Sequence, residues 1–277
     1  MSLITAERRA TADVGFPLLL RTWRQKRRMS QLDLALTSGV SQRHVSFLES
    51  GRANPSRGMI LQLSETLEVP LRDRNDWLTA AGFAPLFRTR PLDDPQMSQV
   101  MSAVRMMLTN HEPFPAIALD RAWNVRMSNA PFDMMIAMLG PDLWDRVGAR
   151  QPNLMRLFFH PAGIRPVVKN WAKVAPLLWR RALKEAEAVG GQDVAALVAE
   201  FSAYQDPHTL AAVADTGLFP VLPVEMEIGG MTVSLFTVIA TFGTAQDVTA
   251  DELRIESLFP ADEATEALFR NAAASRP

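Results

Sequence analysis

Gln42, Arg43, Ser46 and Phe47 fall close together in the stretch SQRHVSFLESG, Ser41–Gly51. A primary amide beside a guanidinium is a pairing with a defined use. Gln can meet the edge of adenine, and Arg the edge of guanine, each through two hydrogen bonds in the major groove. Ser46 and Phe47, one helical turn further on, can meet a base or a thymine methyl. The chemistry these residues suggest is recognition of base edges, with no bond made or broken. They can do it only if they project together from the front of a rigid helix.

The flanking sequence supplies that helix and its support. Ser41 is placed as an N-cap, Val45 and Leu48 face inward, and Gly51 ends the segment as a C′ glycine. Before it, Ser30 caps a segment with Asp33 in the capping-box position. Leu32, Ala35 and Leu36 form the expected apolar stripe of that segment, and Gly39 takes a tight turn. Further upstream, Leu19, Leu20 and Trp23 in FPLLLRTWRQKRR have helical spacing, and the segment ends in a basic cluster. Downstream, NPSRGMILQLSETLEVP has Ser56 as cap with Ile60, Leu63 and Leu67 on one face. RDRNDWLTAAGF follows with Trp77, Leu78 and Ala81 turned inward and Gly82 at its end. Two short helices joined by a glycine-containing turn form a helix-turn-helix, whose second helix presents its N-terminal residues to the major groove. Gln31, Ser41, His44, Arg52 and Asn54 are then placed to hold the DNA backbone.

The stretch MSQLDLALTSGVSQRHVSFLESGRANPS, residues 29–56, resembles the lambda-repressor-like helix-turn-helix of the Xre family. The resemblance implies an ion pair between Arg24 and Glu49 that ties the first helix to the second helix of the motif.

Charge is divided along the chain. Residues 1–90 hold 14 Lys+Arg against 8 Asp+Glu, and residues 91–277 hold 15 against 22. The basic front suits a polyanion such as double-stranded DNA, and the acidic remainder suits a different partner. There are no cysteines, so disulfides and thiolate chemistry are excluded. No apolar run reaches the roughly 18 residues of a membrane span. The opening MSLITAERRATADVGF lacks the apolar core of a secretory signal. These features give the expectation of a cytoplasmic protein without a membrane partner, and the family resemblance implies a bacterial, nucleoid-associated one.

Residues 88–96, RTRPLDDPQ, read as a linker because Pro91 and Pro95 favour extended chain. MSQVMSAVRMMLTN then reads as a helix with Val100, Val104, Met107 and Leu108 on one stripe. The resulting domains are 1–90 (helix-turn-helix), 91–111 (linker and connecting helix) and 112–277. In the last part, FPAIALDRAWNVRMSN suggests two strands around Asp120–Arg121, with Trp123, Val125 and Met127 alternating. Helices follow, with a kink or break expected near Pro176. VEMEIGGMTVSLFTVIATFG is a hairpin turning at Gly229–Gly230. LRIESLFP is a further strand and ADEATEALFRNA a closing helix. The order predicts an α+β domain: a five-stranded antiparallel sheet with helices, behind an all-α N-terminal domain.

LDRAWNVRMSNAPF, NLMRLFFHP, NWAKVAP and GGMTVSLFTVIATFGTAQDVTADELRIESLFPADEAT resemble the MmyB-like ligand-binding domain. That resemblance implies a PAS-like fold around a small-molecule pocket and a fatty-acid-like ligand. Met134, Met135 and Met138 share a helix face, and methionine adapts to apolar ligands. Phe132, Phe158, Trp171, Trp179, Phe201 and Phe236 are further candidates for pocket walls. Arg156, His160 and Lys169 are candidates for a ligand carboxylate, although any of these side chains could equally serve the core or the surface.

The histidines His44, His111, His160 and His208 form no metal-ligand spacing, and no nucleophile elbow, P-loop or dinucleotide fingerprint is present. Glu225 and Glu227 share a strand face that reads as solvated. The expectation is a sequence-specific DNA-binding transcriptional regulator, not an enzyme, with no cofactor and a small apolar ligand; a homodimer is one possible state, which the residues leave open. The alternative is a ligand-binding or protein-interaction module whose helix-turn-helix no longer binds DNA.

Overall fold

A computed structural model describes residues 15–148, 151–189, 192–204 and 220–275. His208 lies outside these residues. The chain divides into two compact units after Pro91, and the segment Thr244–Asp251 groups with the first.

The first unit carries α1 (Phe16–Lys26), α2 (Gln31–Ser38), α3 (Gln42–Glu49), α4 (Arg57–Thr66) and α5 (Leu71–Ala80). Each break between them has a local cause. Ser30 and Asp33 form a reciprocal capping box at the start of α2. Gly39, at φ +71°, ends α2, and Val40 N–H returns to the Ala35 carbonyl at 3.1 Å. Ser41 caps α3 by accepting from His44 N–H at 3.2 Å. At the other end Arg52 N–H reaches the Phe47 carbonyl and Gly51 N–H the Leu48 carbonyl, a Schellman closure that needs the positive φ of Gly51.

Phe16, Leu20, Trp23, Leu34, Ala35, Val45, Leu48, Ile60, Leu63, Leu67, Trp77 and Leu78 fill the core. Phe16 meets Trp77 edge-on at 5.6 Å. Each fully buried aliphatic or aromatic side chain of this kind contributes about 1.5–3 kcal/mol. The inward face of α2 differs from the expected stripe. Leu34, Ala35 and Ser38 are buried, whereas Leu32 and Leu36 are 48% and 74% exposed. Leu32 and Leu36 share one face and Leu34 points the other way. Rotation is set by α4, whose Gln62 amide donates to the Ser38 carbonyl at 2.6 Å. The segment 244–251 joins this unit through Arg90 and Asp247, paired at 2.7 Å, and through Thr249 Oγ1, which donates to the Arg90 carbonyl.

The second unit contains α6 (Ser98–Asn110), β1 (Ala116–Leu119), β2 (Val125–Ser128), α7 (Ala130–Leu139), α8 (Leu143–Arg146) and α9 (Leu154–Phe159). α10 (Trp171–Val189), α11 (Gln192–Ala203), β3 (Val224–Ile228), β4 (Met231–Thr241), β5 (Arg254–Pro260) and α13 (Glu263–Ala274) follow, while α12 (Val248–Glu252), between β4 and β5, lies but for Glu252 in the segment that groups with the first unit. The five strands form one antiparallel sheet in the order β2-β1-β5-β4-β3. The β3–β4 turn is Gly229–Gly230, both at positive φ, which a two-residue hairpin of this twist requires.

β1 is buried on both faces. Ile117 and Leu119 join the large core, while Ala116 and Ala118 meet Val104 and Leu108 of α6. Met107, expected on the same stripe, is 40% exposed. Trp123 sits in the β1–β2 turn and not in a strand, at φ +60° and fully buried. The turn is widened because the Asp120 carboxylate collects the N–H groups of Ala122 and Asn124. α10 runs through Pro176 without a break, its inner side packed through Val174, Ala175, Trp179 and Ala182.

Candidate functional site

The front of α3 is an exposed polar surface on a fixed base. Ser41, Gln42 and Arg43 are exposed, His44, Ser46 and Phe47 partly so, and Val45 and Leu48 are fully buried beneath them. The Arg43 guanidinium stands 5.2 Å from the Phe47 ring centre, one turn along the same helix. This cation–π contact restricts a long side chain that would otherwise lose entropy on meeting a partner. Arg52 and Asn54 are exposed in the loop that follows. Gln31 is partly buried, and its amide donates to Glu49 Oε2 at 2.9 Å.

α3 is held to α1 by the ion pair between Arg24 and Glu49. Arg24 Nε donates to Glu49 Oε1 at 2.6 Å and Nη2 to Oε2 at 2.9 Å, while Nη1 reaches the Met29 carbonyl at 2.7 Å. The side chains are 11% and 4% exposed. Burial pushes the Glu49 carboxyl upward. The hydrogen bonds from Arg24 and Gln31 and the charges of Arg24 and Arg21 outweigh it, leaving the group below its ordinary value of 4.5. The folded state therefore binds this proton less readily than the unfolded chain. The stability the group contributes is complete above the ordinary glutamate range and is lost as pH falls below 4.5 through the lowered folded-state value. Thermal melts at descending pH should show this acid loss in the wild type. Glu49→Gln, less stable at neutral pH, should show a shallower decline over the same window.

The second unit encloses a cavity between one face of the sheet and helices α7, α9 and α10. It opens to solvent, and the space within it and its mouth together comes to about 740 Å³. The sheet supplies Ile117, Val224, Met226, Leu235, Thr237, Glu256 and Leu258. α7 supplies Phe132, Met135, Ile136 and Leu139, α9 supplies Leu154, Met155, Leu157 and Phe158, and α10 supplies Leu178 and Arg181.

Of the residues the sequence suggested for a ligand, Phe132, Met135 and Phe158 line the cavity. The others lie elsewhere. Met138 is exposed at the end of α7. Trp171 stacks behind Phe158 at 5.0 Å, and Trp179 packs edge-on to Phe159 at 5.6 Å. Phe236 alternates with the lining residues Leu235 and Thr237, so it points to the opposite sheet face, where it stacks on Phe259. Arg156 is held by both oxygens of Glu200 at 2.7 and 2.6 Å, an interaction that raises its pKa and occupies its charge. His160 Nδ1 accepts from Ala162 N–H and its ring contacts Tyr204. Lys169 pairs with Glu227 at 3.0 Å.

Residues 100–272 match the model of the MmyB-like transcription regulator ligand binding domain. The chain belongs to the MmyB-like transcription regulators. Residues 20–73 of this MmyB-like regulator match the helix-turn-helix model, a span that contains α2, α3 and α4. The pocket residues, Ile117 to Leu258, all fall within the matched ligand-binding domain. The two matches make the MmyB-like chain a ligand-sensing transcriptional regulator. No curated protein matches the chain.

The charged pair at the cavity wall, Arg181 and Glu256, was not visible in the sequence. Glu256 alternates as a surface residue would, and Arg181 lies in a basic stretch of a long helix. Only the register that sets Glu256 opposite Ile117 of β1 brings it inside. Among the described residues no helix is long and apolar enough to cross a membrane, and no group of three His, Asp or Glu could hold a metal ion.

Proposed function

We propose that this regulator reads duplex DNA with the front of α3 and takes an apolar, acyl-chain-like molecule, such as a fatty acid, into the cavity of its second unit. Gln42, Arg43, Ser46 and Phe47 meet base edges, while Gln31, Ser41, His44, Arg52 and Asn54 serve the backbone. The observation that carries the reading is the exposed Gln42–Arg43 pair on a capped helix, with Arg43 set over Phe47. As a homodimer the protein would span half-sites about 34 Å apart. Ligand changes DNA affinity only if it binds one arrangement of the protein better than another.

Titration of a selected duplex at two salt concentrations tests the DNA reading. Affinity should fall steeply with salt, because each neutralised phosphate releases counterions and adds about −0.9 to the slope of log K against log salt. A protein that has kept only its ligand or protein partners would show no shift at either concentration.

The ligand reading has its own test. Leu139→Trp puts an indole into the cavity wall and should lower affinity for a bound apolar molecule at least about tenfold, for an overpacking cost of about 1–3 kcal/mol in stability. Calorimetry with a long-chain alcohol measures the loss. Affinity for DNA without ligand should stay within twofold, roughly 0.4 kcal/mol, of the wild type.

A further inference from the structure

The cavity wall is apolar apart from Thr237 and from Arg181 and Glu256, which form a hydrogen-bonded ion pair within it. This pair belongs to a larger network. Glu185 accepts from Arg181 Nε at 2.7 Å, from Arg254 Nη1 at 2.5 Å and from the Trp123 indole N–H at 2.7 Å. With every group ionised the network holds two guanidinium and two carboxylate charges, and it is neutral. Glu256 is 3% exposed. The charged groups that face it are Arg181 and Glu185 of α10 and Arg254 of its own strand. Its cross-strand neighbours are Ile117 on β1 and Ile239 on β4. α7 and α9 present apolar side chains to the cavity.

A carboxylate arriving at Arg181 would make three buried negative charges against two positive ones. An uncompensated charge in such surroundings is strongly disfavoured. Neutrality is restored if one proton stays on a carboxyl group. Glu256 is the most buried candidate, and desolvation raises its pKa against the opposing pull of Arg181. We propose that the cavity accepts an anionic headgroup at Arg181 only when Glu256 carries a proton, so that Glu256 makes carboxylate recognition pH-dependent. A neutral headgroup, such as an alcohol, carries no such linkage. This rests on the apolar-ligand reading above.

The test is calorimetric binding of dodecanoate and of dodecanol to the full chain between about pH 5 and pH 9. Dodecanoate affinity should level off at the acid end and fall by up to about tenfold per pH unit at the alkaline end. Dodecanol affinity should vary little over the range. Glu256→Gln, which fixes a neutral group beside Arg181, should bind dodecanoate with nearly constant affinity and more tightly than the wild type at the alkaline end. A wild-type dodecanoate profile that is flat, a variant profile that falls as the wild type does, or binding of dodecanol alone at every pH would overturn the proposal. If the variant fails to fold, the two wild-type profiles decide between the same outcomes. If neither molecule binds, the apolar-ligand reading itself has failed, and the proposal falls with it.

Discussion

Gln42→Ala combined with Arg43→Ala should reduce affinity for a selected duplex by at least about thirtyfold while leaving the fold intact. A bidentate side chain–base contact is worth about 1–3 kcal/mol of discrimination, so two of them account for about 2–6 kcal/mol. Both side chains are exposed, and neither fills the core beneath α3. Surface substitutions of this kind usually move stability by about 0.5 kcal/mol or less. Circular dichroism and thermal melts should therefore match the wild type while the binding isotherm shifts. Affinity for a random duplex should change far less, because that binding draws on phosphate contacts. Phe47 enters the same account, since its ring sets the position of Arg43.

Arg24→Ala should destabilise the helix-turn-helix unit by about 3–5 kcal/mol, the usual cost of stripping one partner from a buried ion pair. The size follows from what is left behind. Glu49, 4% exposed in the wild type, would lose two hydrogen bonds at 2.6 and 2.9 Å, and the Met29 carbonyl would lose the Arg24 Nη1 donor. Urea unfolding of the full chain, followed by a probe in the first unit, measures it. The paired replacement Arg24→Met with Glu49→Leu should cost much less than either single alanine, because no buried charge is then orphaned. DNA affinity should fall with Arg24→Ala wherever the unit is partly unfolded and recover on cooling. That dependence separates support of α3 from direct contact.

The helix-turn-helix was legible because its signals are local. Ser30 with Asp33, Gly39, Ser41 and Gly51 each act within a few residues, and each appears in the fold doing what its chemistry dictates. The sheet was legible for a related reason, since a Gly-Gly turn between alternating segments has few other outcomes. What depends on distant partners was not readable. The inward face of α2 is decided by α4, so two leucines predicted to be buried are exposed. Pro176 removes one helical hydrogen bond, but packing on both sides of it carries α10 through. The cavity shows the same limit more sharply. Phe132, Met135 and Phe158 could be picked out by residue type, whereas Phe236 is an equally plausible type that strand parity sends to the other face. Arg156 and Lys169 have the right charge, but Glu200 and Glu227 already hold them. The pair that does sit in the wall, Arg181 and Glu256, comes from residues 75 positions apart and is assembled by the sheet register.

The proposed DNA reading rests on direct contact of Arg43 and Gln42 with particular bases. A double-mutant cycle between Arg43→Ala and replacement of single guanines in the selected duplex tests it most directly. At one position the two losses should overlap, with a coupling energy of about 1–3 kcal/mol, because removing either partner breaks the same contact. Coupling near zero at every base pair of the site would contradict it.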